Sequence, residues 1–175
     1  MIKTHITLSM ILLLFFPFGT YGQDITGTSP DKVLPGDLSL IIGHWEGTLT
    51  YLDYSSNKPY SMPANLVMKP GRNAFQLRGS HVYPNEPKAN TNFKLKLSKS
   101  GTKLNTKDIT ARKILPDGQV QIITKYEHKD GNEGKMATNR ITYTIGLDKY
   151  SVRKDVQFDG STDWIMRNEY RYQKK

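Results

Sequence analysis

The sequence predicts an all-β fold, a single antiparallel up-and-down β-barrel of about eight to ten strands. Three observations predict it. From Leu40 onward apolar residues recur with a period of two, and clusters of Gly, Pro, Asn and Asp interrupt them at intervals of roughly 8–15 residues. No stretch carries an apolar period of 3.6 long enough for a crossover helix, which a parallel sheet would need.

The alternation is clearest in Phe93-Lys94-Leu95-Lys96-Leu97, where apolar side chains take one face and lysines the other. Val120, Ile122, Thr124 and Tyr126 repeat it, as do Ile141, Tyr143 and Ile145. Reversals are expected at Ser55–Pro59, Lys69–Gly71, Tyr83–Asn90, Ser98–Gly101, Pro116–Gly118, Asp130–Gly134, Gly146–Lys149 and Asp159–Gly160. They divide the region into strands over 43–54, 60–68, 72–83, 91–98, 102–115, 119–129, 135–145, 149–158 and 162–172. An open sheet of that many hairpins would leave two long unpaired edges, and closure into a barrel removes both.

Residues 1–22 read as a cleavable signal peptide: Lys3 and His5 precede an apolar run from Met10 to Phe18, and Thr20 and Gly22 supply the small residues before Gln23. A spanning helix needs about 20 apolar residues, so the run is too short for a membrane anchor, and no later segment suits one. The chain is therefore expected to be exported, periplasmic or extracellular, with Gln23 as its mature N-terminus. Residues 23–39 are expected to form an N-terminal lead and 40–175 the barrel domain. There is no cysteine, which excludes disulfides, thiol catalysis and an acylated-cysteine anchor, and suits a bacterial envelope.

After residue 22 the chain carries 24 basic and 16 acidic residues, net +8 with His neutral. Residues 88–113 hold eight bases (Lys88, Lys94, Lys96, Lys99, Lys103, Lys107, Arg112 and Lys113) against Asp108 alone. On adjacent strands these would make one basic outer face, able to attract an acidic envelope surface, acidic lipid headgroups, polyanionic glycans or an acidic protein. The alternative is a solvated face whose lysines guard a strand edge.

Gly43-His44-Trp45 at the start of the first strand resembles the Gly-x-Trp signature of the lipocalins and the wider calycin superfamily. The resemblance implies a lipocalin-like barrel that holds a small apolar or amphipathic molecule, with an arginine near the barrel's end packed on the tryptophan. In Arg167-Asn168-Glu169-Tyr170-Arg171 that role falls to Arg167, making Gly43, Trp45 and Arg167 the expected closure residues. Strict alternation with Tyr170 inward would turn Arg167 outward, so the contact requires a bulge near it. The chain departs from the family in having no C-terminal helix pattern and no disulfide.

Trp164, Met166, Asn168 and Tyr170 share one face of the last strand, and Trp45 shares one with Leu49 and Tyr51. Phase places Tyr51, Tyr126, Tyr143 and Asn168 inside, as candidate ligand-lining residues; an interior rich in Tyr joins apolar area to hydroxyls that need partners. No catalytic residue, cofactor or metal site is expected. His44, His81 and His128 lack metal-ligand spacing, the pairs Asp53/Glu127 and Asp155/Asp163 suit hairpin ends, and nucleotide and hydrolase motifs are absent. No nucleic-acid partner is expected. Two main functions remain, a barrel that binds a small molecule inside and an interaction module that docks through its basic outer face, with a small barrel enzyme acting through Tyr and Arg as the third and minority reading.

Overall fold

The computed structural model describes residues 32–175 other than Tyr54, Asn57, Asn132 and Glu133. The expected signal peptide, residues 1–22, and most of the expected N-terminal lead lie outside the described residues. A five-residue helix, α1 (Pro35–Ser39), precedes β1 (Gly43–Asp53), β2 (Lys58–Pro63), β3 (Asn65–Pro70), β4 (Gln76–Val82), β5 (Thr91–Lys96), β6 (Lys103–Leu104), β7 (Lys107–Ile114), β8 (Val120–Asp130), β9 (Lys135–Ile145), β10 (Lys149–Phe158) and β11 (Ile165–Lys174). The strands form one nearly closed antiparallel barrel in the order β5-β4-β3-β1-β11-β10-β9-β8-β7-β6, with β2 also paired to β1.

The expected segments recur as eleven strands because two of them break. Ala64, fully buried, separates β2 from β3, which continue along β1 in one register. Asn105 and Thr106, both at positive φ (49° and 70°), separate β6 from β7. First and last strands pair, Trp45 opposite Lys174 through Tyr51 opposite Asn168. The thin place in the wall is in the middle of the chain, where β5 meets the two-residue β6 through one bridge, Leu97 to Leu104. Asn105 reinforces it: its N–H donates to Lys96 O at 2.8 Å, and its side-chain Oδ1 accepts from Lys96 N–H at 2.7 Å.

Past Asn105 the wall has a notch. Among the described residues, 91–95 of β5 pair with β4 alone and 126–129 of β8 with β9 alone, so each presents one strand edge there.

The end of the barrel where β1 starts is plugged. Val33, Leu38 and Ile41 are almost fully buried and join Trp45, Leu66, Met68, Leu95, Leu104, Ile122 and Ile145 in one dry core. The Trp45 indole N–H donates to Ile41 O at 2.8 Å. Asp37 on α1 meets Arg112 in a bidentate pair, both contacts 2.8 Å, and also accepts from Leu34 N–H. A shift of register between Ile109 and Ala111 turns Arg112 inward to reach it. Gly43 begins β1 at φ +136°, a conformation closed to ordinary side chains, where a Cβ would also press on Lys174 Cε at 3.2 Å.

If this pair holds the plug in place, Asp37→Ala should lower unfolding free energy by about 2–4 kcal/mol, because it strands the guanidinium of Arg112. Urea unfolding of the variant against the parent measures this.

Candidate ligand-binding cup

Register places the interior in two tiers. Inward positions near the plug are buried, whereas toward the other end Tyr51, Phe93, Tyr126, Ile141, Tyr143, Asn168 and Tyr170 face inward and stay partly accessible, beside fully buried Thr124, Ala137, Asn139 and Val156. This ring-rich inner tier, with the notch between β5 and β8 at its side, is the candidate cup.

All four residues expected to line the interior face it, though they do not form one cluster. Tyr51 and Asn168 are directly opposite on β1 and β11, with Lys154 next across on β10. Tyr143 stands between Val152 and Ile122, and Tyr126 opposite Asn139. Burial, with Tyr126 nearby, pushes the Tyr143 hydroxyl up to about 12, so it is a neutral donor at neutral pH. Lys107 stands over the Tyr126 ring at 4.3 Å, beside the notch.

A stack of rings that sequence reading missed crosses the cup. His81 lies between Phe93 (centroids 4.7 Å apart) and Tyr170 (4.8 Å), each nearly parallel to it. Its Nδ1 is 3.1 Å from the Tyr172 hydroxyl, and Tyr170 shares a 2.8 Å hydrogen bond with Tyr83. Burial lowers the His81 pKa from its ordinary 6.5 to about 4, so the ring is neutral, and the tautomer sets which way the Nδ1–Tyr172 hydrogen bond runs. Gly79 makes the stack feasible, because a Cβ there would lie 2.3 Å from Phe93 Cζ. The signal in the sequence is the period-two run Leu77, Gly79, His81, Tyr83, which turns His81 inward without showing that Phe93 and Tyr170 flank it.

Arg167 is where the last strand corrects the expectation. Between Lys154 and Asp155 the β10–β11 register jumps from Asn168 to Met166, leaving Arg167 as the extra residue of a bulge. The bulge buries Arg167, yet the side chain does not reach Trp45. Trp45 pairs with Lys174, seven residues away along β11, or roughly 23 Å at about 3.3 Å per residue. Arg167 instead donates to Asp130 at 2.7 Å and lies over Phe158, while Lys154 holds the other Asp130 oxygen at 2.5 Å. Lys174, 5.2 Å from the indole centroid, supplies the cation over Trp45. Arg171 is exposed and pairs with Glu169.

The bulge also reverses the phase before it. Met166 and Trp164 leave the interior, and Arg140 covers Trp164 at 4.0 Å above a buried Asp155 that Arg140 and Arg153 both neutralise. Of the other carboxylates in the pairs Asp53/Glu127 and Asp155/Asp163, Asp53 accepts from Ser55 and Ser56 in its turn, Glu127 accepts from the Thr138 hydroxyl, and the Asp163 N–H donates to Ser161. Among the described residues no group of three or more His, Asp or Glu is arranged to hold a metal ion.

No protein-family model matches the chain, and no curated protein matches it. Among solved structures, a crystal structure of Rv2717c from M. tuberculosis is similar, with 14% identity and a TM-score of 0.48, over 83% of this chain and 99% of that one.

Two outcomes test the cup wall. Thr124 is fully buried, and its hydroxyl has no hydrogen-bond partner among the described residues, so Thr124→Val should raise stability by about 1 kcal/mol in urea unfolding. For His81 the folded pKa lies below the unfolded one. Between about pH 6.5 and 4 the unfolded chain therefore binds a proton that the folded chain does not, and stability falls as pH falls through that window. The loss should be on the order of 2 kcal/mol, allowing for solvent screening, and His81→Phe should flatten that limb of the pH–stability profile.

Proposed function

We propose that this protein is an exported, lipocalin-like barrel that holds an apolar or amphipathic small molecule in its cup. One observation carries the reading: inward-facing aromatic side chains remain partly accessible in one half of a barrel whose other half is plugged and dry. Binding sites for small molecules combine apolar wall area with a few placed polar groups, and the cup has both. Tyr51, Phe93, Tyr126, Tyr143 and Tyr170 offer ring faces, while Asn168, Lys154 and the tyrosine hydroxyls offer hydrogen bonds. Lys107 at the notch favours a ligand with an electron-rich or acidic end.

In this reading the notch is the lateral entrance, since the backbone edges of β5 and β8 are unpaired there. Export rests on residues 1–22. Intact mass of the secreted protein should show a chain that begins at Gln23.

The binding test is fluorescence titration with a panel of fatty acids and aromatic compounds. Tyr143→Ala should weaken binding about fivefold to a hundredfold, equivalent to about 1–3 kcal/mol of lost contact and hydrogen bonding. Lys96→Ala, on the outer face, should leave it unchanged. If the Lys96 variant suffers the larger loss, or if the parent binds nothing in the panel, the cup is not the site for these ligands.

A further inference from the structure

The outer face of β3, β4 and β5 carries a groove of about 970 Å³. Its cations are organised by register: Lys69 is opposite Arg78, and Arg78 is opposite Lys94. Three positive side chains thus stand in one row across three adjacent strands, about 5 Å apart at their backbones. Lys96 follows Lys94 on the same side of β5, about 7 Å further along. All four are exposed. Like charges directly opposite one another destabilise a sheet. Among the described residues no carboxylate pairs with any of the four, and no Asp or Glu lines the groove.

The row was only half visible in the basic run at 88–113, because Lys69 and Arg78 come from elsewhere and several lysines of the run are used otherwise. Arg112 turns inward to Asp37, Lys103 pairs with Asp108 at 2.9 Å, and Lys107 covers Tyr126. Neutral polar groups flank the row. Ser80 donates to Asn92 Oδ1 at 2.6 Å, which leaves the Asn92 amide hydrogens as donors, and Asn105 and Thr106 close one side. Arg78 Nε donates to Pro70 O at 3.3 Å, which holds its guanidinium over the strands.

We propose that this groove binds a linear acidic polysaccharide, whose carboxylate or sulfate groups lie across Lys69, Arg78 and Lys94 while its hydroxyls meet Asn92, Asn105 and Thr106. An elongated polyanion suits a row of cations in an open groove better than a compact anion does. The row crosses three strands of the curved barrel wall, which a chain can follow more fully than a flat bilayer can. Val67 is the one aliphatic side chain lining the groove, so an acidic peptide finds no pocket there for an apolar anchor residue. The Phe93 ring is stacked on His81 inside the barrel and His44 is the other ring at the groove, so successive nucleic-acid bases find no run of stacking platforms. The proposal is independent of the cup.

The test compares the parent with Lys69→Gln/Arg78→Gln/Lys94→Gln and with a control of equal net charge, Lys99→Gln/Lys113→Gln/Lys129→Gln. Binding to a heparin-derived oligosaccharide and to polygalacturonate is measured at low and physiological salt. Neutral dextran, polyglutamate and phosphatidylcholine vesicles with and without phosphatidylglycerol serve as comparators. Both acidic glycans should bind, the groove variant should lose about tenfold or more in affinity and most of its salt dependence, and the control should change by less than about twofold. The groove variant should unfold at or above the parent's temperature, since it relieves like-charge crowding; if it does not fold, Arg78→Gln alone is judged by the direction of the same loss. Equal losses in both triple variants would overturn the proposal. So would tighter binding to polyglutamate or anionic vesicles than to the glycans, or no glycan binding at all.

Discussion

The hydrogen bond from the Trp45 indole to the Ile41 carbonyl ties the chain across one end of the barrel just before it enters β1. A barrel of this size encloses more volume than one layer of inward side chains fills, so something must occupy each end. Here the segment around α1 supplies Val33, Leu38 and Ile41 as filler, and Asp37 reaches Arg112 on the far wall. The plugged side can then be packed tightly, aliphatic residues around Trp45, Tyr150 and Tyr172. The other tier holds most of the partly accessible rings, and the division between core and cup follows from where the plug stops.

Two glycines and two bulges adjust the wall to this arrangement. Gly79 lets the Phe93 ring cross β4, and Gly47 does the same on β1, where a Cβ would lie 2.6 Å from Tyr172 Cδ1. The bulges at Thr110 and Arg167 each bring an arginine inside, and each pairs with an aspartate from another element. Such pairs are costly to bury and costly to break, so they mark register more than they add stability.

Most of the architecture was legible because alternation is a local property. The run Phe93 to Leu97, the strand of Tyr126 and the turns at Pro116–Gly118 and Asp130–Gly134 carry their own pattern. Where reading failed, the cause was nonlocal. The Arg167 bulge depends on the pull of Asp130, 37 positions away, and it displaced Trp164 and Met166 from the face that strict phase assigns them. The four candidate lining residues were in phase because none lies beyond that bulge. His81 escaped notice because its neighbours Phe93, Tyr170 and Tyr172 come from other strands, and the cation row escaped because register, not sequence proximity, assembles it.

The pairing of β1 with β11 also governs how the molecule comes together. Seven matched positions join residues more than 110 apart in the chain, from Tyr51 with Asn168 to Trp45 with Lys174, so the ring cannot shut until the last strand has been made. Hairpins such as β8–β9 can form as they emerge, whereas the closing contact incurs the loop entropy of nearly the whole domain. Folding is thereby weighted toward its final step, the joining of the first strand to the last.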